Sequence, residues 1–436
     1  MLVSIHKPVI KVLLILIVPL LGRTQTWTLE RCIDSALNRN KNYFIQEAQY
    51  QVSLEKWKEN KKSLYPKVFW NNEYKYYSEL PTQLLPLSVF NGPEGQFKEA
   101  QFGVPHTINS QLQLQMPLFQ SSLYSTIQVS KIYSEMSELQ KMKTKEQLFF
   151  EVSTAYYQTQ SLMIQLSFLD STLIQNNTLI HIVETLYAQG MAKKTDLDKL
   201  SLQINQIKNN IKQVQNQLEQ SLNRLKFIMG LPIDFPLEIE TKIHIELNIE
   251  NTKNIPIELR ILQTQKNILS KEITTIKRNR YPSLSLFASY GYNGFAYDKS
   301  PNEFLRFYPV GMSGVQLQIP IFQSGILQSK IKQKKWESKA LELKEQLFNE
   351  QQTMLLHNAD LQLNAVKEQM LFQETQIQYA NSIYEQTVLY HQQGLATLTE
   401  VLLAENSKRE IQQLYVQSLI QYQKTLVEKK KIIGIY

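Results

Sequence analysis

Cysteine is almost missing from this chain, with one residue, Cys32, in 436. That excludes an intrachain disulfide framework and any multi-cysteine metal site. Glycine and proline are also sparse, at 13 and 15 residues, which disfavours a glycine-rich α/β enzyme and favours long helices. No stretch beyond the N-terminus approaches the ~18 consecutive apolar residues of a membrane-spanning helix, so any later crossing of a bilayer must use strands. Catalytic spacing is lacking too. His106, His181, His244, His357 and His391 stand isolated, with no His-Glu-x-x-His pair and no phosphate-binding or dinucleotide-binding glycine loop. An enzyme needs converging groups, and none is read here. No catalytic residue, metal or cofactor is expected.

The net charge is +8, but Lys and Arg are scattered among Gln and Glu along helical stretches. That describes a solvated helix surface, and no nucleic-acid partner is expected. At the N-terminus, His6, Lys7 and Lys11 precede an apolar run from Val12 to Leu21, followed by Arg23-Thr24-Gln25-Thr26. This has the form of a secretory signal peptide over residues 1–24, with cleavage near Thr24 or Gln25. The chain is therefore read as exported.

The rest of the chain repeats itself. Leu64-Tyr65-Pro66 returns as Arg280-Tyr281-Pro282, and Gln113-Leu114-Gln115-Met116-Pro117-Leu118-Phe119-Gln120-Ser121 returns as Gln316-Leu317-Gln318-Ile319-Pro320-Ile321-Phe322-Gln323-Ser324. Gly190, Thr195 and Asp196 return as Gly394, Thr399 and Glu400. Two repeats follow, 25–240 and 241–436. Each reads as helix, strand, loop, strand, very long helix, tight turn and long helix. The length difference falls in loop 78–103 against its counterpart 294–309, where insertions cost least.

In the first repeat the opening helix starts at Thr28, an N-cap, and shows the apolar face Leu29, Cys32, Ile33, Ala36 and Leu37. Cys32 then reads as a small buried hydrophobe. Pro256 suits the first helical turn in the second repeat. Helical hairpins are expected over 121–229 and 324–431. Leu197, Leu200, Ile204, Ile207, Ile211, Val214, Leu218, Ser221 and Leu225 alternate spacings of three and four, as do Leu162, Leu166, Leu169, Leu173, Asn176, Ile180, Val183 and Tyr187. That is the seam of an antiparallel coiled coil. From Ser121 to Tyr187 nothing interrupts the helix, which at ~1.5 Å per residue spans on the order of 100 Å.

Strands are expected at 67–77, 104–116, 283–293 and 310–319. Leu112, Leu114 and Met116 oppose Gln111, Gln113 and Gln115, and Val315, Leu317 and Ile319 oppose Gln316 and Gln318. Val68, Trp70, Tyr74 and Tyr76 share a face, as do Leu284, Leu286, Tyr290 and Tyr292. Alternation fits either a half-buried soluble sheet or a membrane barrel with lipid outside and water inside. Export, strands of about ten residues and their aromatic content favour the barrel. Lys61, Lys62, Arg278 and Arg280 precede the strands, within reach of lipid phosphates. Four strands cannot close a barrel, whose minimum is about eight, and open edges are not tolerated in lipid. Closure therefore needs an oligomer, two chains giving eight strands and three giving twelve.

With these features in place, the chain resembles the TolC family of outer-membrane efflux proteins over essentially all of its mature length. The resemblance rests on the order and duplication of elements, on the junctions Pro117-Leu118-Phe119 and Pro320-Ile321-Phe322, and on the tips Tyr187-Ala188-Gln189-Gly190 with Thr195-Asp196 and Tyr390-His391-Gln392-Gln393-Gly394 with Thr399-Glu400. It implies a mainly α chain with membrane β: a homotrimer whose 12-stranded outer-membrane β-barrel continues into a 12-helix periplasmic α-barrel. A collar around 231–255 and the chain ends is implied as well. The implied function is the passive exit duct of a tripartite efflux or type I secretion system in a Gram-negative outer membrane, with a large periplasmic part. Its partners would be a periplasmic adaptor (membrane fusion) protein, an inner-membrane pump of the RND or ABC type, and outer-membrane lipid.

Residue by residue, the resemblance makes Pro117, Phe119, Pro320 and Phe322 the barrel-to-helix junction. It makes Gln111, Gln113, Gln115, Gln316 and Gln318 lumen-facing. Tyr187, Gly190, Thr195, Asp196, Tyr390, His391, Gly394, Thr399 and Glu400 become entrance tips where an adaptor docks. Thr195 and Asp196 match positions that help lock a closed entrance in some members, and Glu400 matches an acidic position at the constriction. His391 replaces a lock tyrosine, Ala396 a lock arginine and Leu403 a second acid, so gating is expected to use other contacts. The alternative reading is a periplasmic coiled-coil adaptor or structural protein.

Overall fold

The computed structural model describes residues 26–243 and 254–435. The signal-peptide segment and most of the 244–255 part of the expected collar, His244 included, lie outside the described residues. Among the described residues, seven α-helices and six strands run in the order α1 (Leu29–Arg39), α2 (Lys41–Lys62), β1 (Lys67–Tyr76), β2 (Thr82–Pro86), β3 (Phe97–Gln101), β4 (His106–Gln120), α3 (Ser121–Ala188), α4 (Lys194–Met229), α5 (Ile257–Arg278), β5 (Ser283–Tyr297), β6 (Phe304–Gln318), α6 (Ile326–Gln392) and α7 (Leu398–Ile432). The fold is thus mainly helical with antiparallel sheet. The described residues group into two compact units, neither continuous in sequence: 26–40, 148–243 and 362–427 form one, and 41–147, 254–361 and 428–435 form the other.

The first unit is built from helix seams. Leu162 and Leu169 of α3 pack with Ile207, Ile211 and Val214 of α4, flanked by Leu166, Leu173 and Leu218. Nearer the helix ends, Leu179 and Val183 join Leu200, Ile204, Tyr384, Leu398 and Val401, so α3, α4, α6 and α7 share one cluster. Each aliphatic side chain so buried contributes about 1.5–3 kcal/mol. At α1, Thr28 caps the helix by accepting the Arg31 N–H at 3.3 Å. Cys32 and Ala36 are fully buried, and burial pushes the Cys32 thiol up to about 12, leaving it unreactive. Gly230 ends α4 at φ +71°, and a Cβ there would meet the Arg39 carbonyl at 2.6 Å, so the site requires glycine twice over.

The opening helix is not one helix. It breaks at Asn40, which takes extended backbone angles and turns its Nδ2 to the Ile228 carbonyl at 2.7 Å. Pro256 sits just before α5 rather than inside its first turn.

The second unit carries the sheet, in the order β1-β4-β5-β6, every pair antiparallel. Three strands of this sheet run to 15 residues and β1 to 10. The expected 67–77 matches β1 to within a residue, while β4 runs past 116 to Gln120, β5 past 293 to Tyr297, and β6 starts at Phe304 rather than at 310. The loop 78–103 is not structureless either: β2 and β3 form a small separate hairpin within it. Beneath the sheet, Val129 and Ile132 of α3 pack on Ile268 of α5. Polar ties bind the same helices: Tyr133 donates to Glu272 at 2.9 Å, and Lys334 of α6 pairs with Glu272 at 3.0 Å.

Candidate functional site

The strand register decides which side chains share a surface, because directly opposed residues in an antiparallel ladder point the same way. Val68↔Leu114, Trp70↔Leu112, Tyr74↔Ile108, Leu112↔Tyr290, Met116↔Leu286, Leu286↔Val315 and Leu284↔Leu317 lie on one face. Asn71↔Gln111, Phe69↔Gln113, Lys67↔Gln115, Gln113↔Ser289, Ser285↔Gln316 and Ser283↔Gln318 lie on the other. All five glutamines named from sequence therefore fall on one surface. The amides there bond to one another, Asn71 to Gln113 at 2.9 Å and Gln111 to Asn293 at 3.4 Å.

The opposite face is apolar and bare, with Trp70 70% exposed. Its few polar groups satisfy each other. Ser110 donates to Asn72 at 2.7 Å and accepts from the Trp70 indole at 3.2 Å, while the Tyr74 hydroxyl and His106 Nδ1 lie 2.7 Å apart. Alternation alone did not place Asn72 and Ser110 there; each has a polar side chain on an apolar face, tolerable because the partners are cross-strand neighbours.

Among the described residues, β1 and β6 each pair on one side only. Two rows of backbone donors and acceptors are left open, a liability in water and prohibitive in hydrocarbon. A second unpartnered surface runs along α6, where Trp336, Leu343, Leu347, Met354 and Leu361 are all exposed. Their spacing of 7, 4, 7 and 7 residues is that of a coiled-coil seam with no partner helix.

The two junctions, alike in sequence, differ in structure. β4 continues through Pro117, with a register shift between Pro117 and Phe119, and passes straight into α3. Its neighbour β5 holds it there, pairing Gln120 with Ser283, and the bulge spares the proline a ladder bond. β6 stops at Gln318, and Pro320, Ile321 and Phe322 lie outside any element before α6 begins. Ile321 is 95% and Phe322 84% exposed. The difference is one of register: Ser283, where β5 begins, pairs with Gln120 beyond Pro117 in β4 but with Gln318, short of Pro320, in β6. Of the basic residues before the strands, Lys61 lies over the Trp57 ring at 3.9 Å, and Arg278 donates to Ser125 at 2.6 Å.

At the helix tips, Gly190 and Gly394 take φ +73° and +75° with open space where a Cβ would stand, so backbone handedness alone selects glycine. Met191 N–H reaches the Leu186 carbonyl at 2.8 Å, and Leu395 N–H reaches the Tyr390 carbonyl at 2.8 Å. Asp196 accepts the Lys193 N–H at 3.2 Å. Glu400 accepts the Thr397 N–H at 2.7 Å while its own N–H donates to Thr397 Oγ1 at 3.3 Å, a capping box. His391 Nδ1 lies 2.8 Å from the Ala396 carbonyl, so that nitrogen carries the proton and His391 closes its own turn.

Thr195 and Thr399 are exposed on the first turns of α4 and α7, and Tyr187 and Tyr390 are exposed before the turns. The sequence reading missed Met191 and Leu395, each 75% exposed directly after a tip glycine. Their signal was available: an apolar residue after a C-terminal glycine normally packs back on its helix, and these two do not.

Among the described residues no helix is long and apolar enough to cross a membrane, and no cluster of His, Cys, Asp and Glu that could hold a metal ion is found.

The profile of the family described as "Outer membrane efflux protein" matches residues 32–231 and 259–434. The fold is shared with solved outer-membrane proteins. VceC of Vibrio cholerae superposes with a TM-score of 0.72 at 14% identity, over 93% of this chain and 96% of that one. The CmeC outer-membrane channel of Campylobacter jejuni gives 0.73 at 14%, over 93% and 85%. The open-state MtrE outer-membrane channel of Neisseria gonorrhoeae gives 0.70 at 16%, over 93% and 89%. A comparison with curated protein sequences finds no match.

Proposed function

The chain belongs to the outer membrane efflux protein family, and from that premise we propose that three copies close a 12-stranded barrel in the outer membrane, continued by 12 helices into the periplasm. The protein is an outer-membrane exit channel for tripartite efflux. The alternative of a periplasmic coiled-coil adaptor or structural protein falls with the family match.

One observation carries closure between copies, which the family premise sets at three: a four-stranded sheet with an exposed apolar face, an amide-lined opposite face and two unpaired edges. Pairing β6 of each copy with β1 of the next removes every edge, as hydrocarbon requires. It also gives the loose segment 319–325 a neighbour, and the exposed seam of α6 a helix to pack on. Gln111, Gln113, Gln115, Gln316 and Gln318 then line a water-filled bore, and the apolar face meets lipid. The two tips form the periplasmic entrance. Met191 and Leu395, with Tyr187 and Tyr390, offer an adaptor an apolar docking patch, and an inner-membrane pump supplies the energy. The duct itself performs no chemistry and selects little.

Because Cys32 is buried, engineered cysteines report cleanly. Asn71→Cys combined in turn with Met312→Cys, Gly314→Cys and Gln316→Cys should yield, for at least one pair, an oxidised ladder ending at three copies. Ladders that run past three, or no cross-link from any pair, would defeat the β1–β6 closure.

A further inference from the structure

The first unit buries a polar layer that none of the roles above uses. Along α3, Asn176 falls between Leu169 of one apolar cluster and Leu179 of the other, and it is fully buried. Its Nδ2 donates to the Thr172 carbonyl at 3.0 Å, while its Oδ1 has no partner. Facing it from α7 is Glu405, 1% exposed. One carboxyl oxygen of Glu405 accepts from Gln203 of α4, and the other, Oε1, has no partner. Two buried acceptor oxygens from two helices thus lack a donor, and the Asn176 amide is within hydrogen-bonding reach of the carboxyl. Buried acceptors are almost always paired, and one proton on Glu405 supplies the missing donor.

The surroundings do not neutralise an ionised Glu405. No cation among the described residues comes within ion-pair distance of it. Lys408, on the same helix, donates to Gln175 of α3 at 2.9 Å and lies over the Tyr384 ring at 4.7 Å. Arg409 donates to Asn406 at 2.7 Å. α6 contributes Tyr384 and Glu385, while α3 and α4 face the layer with the amides Gln175, Asn176 and Gln203. Burial pushes the Glu405 carboxyl above the usual carboxylate range, against the pull of Asn176, the Arg409 and Lys408 charges and Gln203. The same burial pushes Lys408 down, opposed by Glu405 and Glu385.

We propose that Glu405 is a proton-operated latch between the two helical hairpins: its protonated carboxyl donates to Asn176 Oδ1 and accepts from Gln203, binding α7 to both helices of the first hairpin. The proton comes from solvent and forms the O–H bond; no other bond is made or broken. A carboxyl raised above its unfolded value stabilises the fold at low pH, and that contribution is lost as pH rises through its folded value. Lys408, being lowered, disfavours the fold while charged and is relieved only on the alkaline side, so the latch is the part that responds on the acid side. The consequence rests on the reading of the chain as a duct: hairpins that loosen as pH rises open the entrance more readily.

The test uses the full chain in lipid nanodiscs, with Glu405→Gln as a permanently neutral mimic and Asn176→Leu as a latch without a receiver. Infrared difference spectra are taken between about pH 5 and about pH 9, a span that brackets an upward-shifted carboxyl. Wild type should show a neutral-carboxyl band that disappears with rising pH, is absent in Glu405→Gln and is displaced in Asn176→Leu. The melting temperature of wild type should fall relative to Glu405→Gln over the same span. Identical spectra in wild type and Glu405→Gln, or melting curves whose separation does not change with pH, would overturn the latch. Conductance in planar bilayers tests the duct separately: its absence in every sample counts against the pore, and the infrared and melting results decide the latch regardless.

Discussion

Arginine at Leu114 puts the lipid-facing assignment at direct risk. Leu114 lies one residue from the middle of β4 (His106–Gln120), opposed by Val68 on one side and Ala288 on the other. Its face carries Trp70, Leu112, Tyr290 and Leu317. A charge near mid-bilayer on a barrel's lipid face costs about 2–4 kcal/mol, falling toward the interfaces. At 1.4 kcal/mol per factor of ten, that is roughly 30- to 700-fold in the assembly equilibrium for each copy, and a trimer pays it three times. Leu114→Arg should therefore strip the assembled, heat-resistant oligomer from outer-membrane fractions, read on unheated gels. Gln113→Arg, one residue away on the amide face opposite Ser289, should assemble within about twofold of wild type, since a lumen-facing charge stays in water. Equal damage at both positions, or normal assembly of Leu114→Arg, would refute the face assignment.

Met191→Asp with Leu395→Asp should abolish export and adaptor capture while leaving oligomer stability unchanged; unimpaired capture would remove these residues from the docking surface. Gly190→Val and Gly394→Val force a β-branched residue to φ near +74°, a strain on the order of 1–3 kcal/mol. Each should loosen its tip, seen as faster proteolysis at the turn, with Gly190→Ala less affected. Glu146, buried beside Glu258, is raised to about 7 by burial first and by that neighbour second, against Lys431 and Lys143. Its contribution to stability is complete below its unfolded value and lost as pH rises through about 7. Thermal stability should drop over that interval in wild type and drop less in Glu146→Gln; parallel pH profiles would contradict this.

The seams at Leu162, Leu169, Ile207, Ile211 and Val214 were readable because a spacing of three and four has only one cheap burial, against another helix. The sheet faces were readable for the same reason at period two. Strand ends were not: Phe295-Ala296-Tyr297 and Phe304 to Tyr308 carry apolar or aromatic residues on both faces, so alternation fades while the ladder continues. The β2–β3 hairpin has no alternation to announce it. The break at Asn40 depends on the Ile228 carbonyl, 188 residues away, and no local pattern encodes that.

At the tips, the glycines take left-handed angles, while the two acids cap their own helices and His391 closes its own turn. A polar residue next to a helix start serves capping and gating equally well in sequence. Glu405 escaped notice for a simpler reason: the buried stripe of α7 passes from Leu398 and Val401 through Glu405, Lys408 and Gln412 to Val416 and Leu419, and the polar residues in its middle break the apolar signal.

The closure of β6 onto the next copy's β1 is tested most directly by electron cryomicroscopy of the purified particle in lipid nanodiscs. The structure should have threefold symmetry, twelve strands sealed without a free edge, and one lumen running on into the helices with Gln111, Gln113 and Gln316 facing it. A single-copy particle, or a barrel in which β1 and β6 of the same chain meet each other, would contradict it.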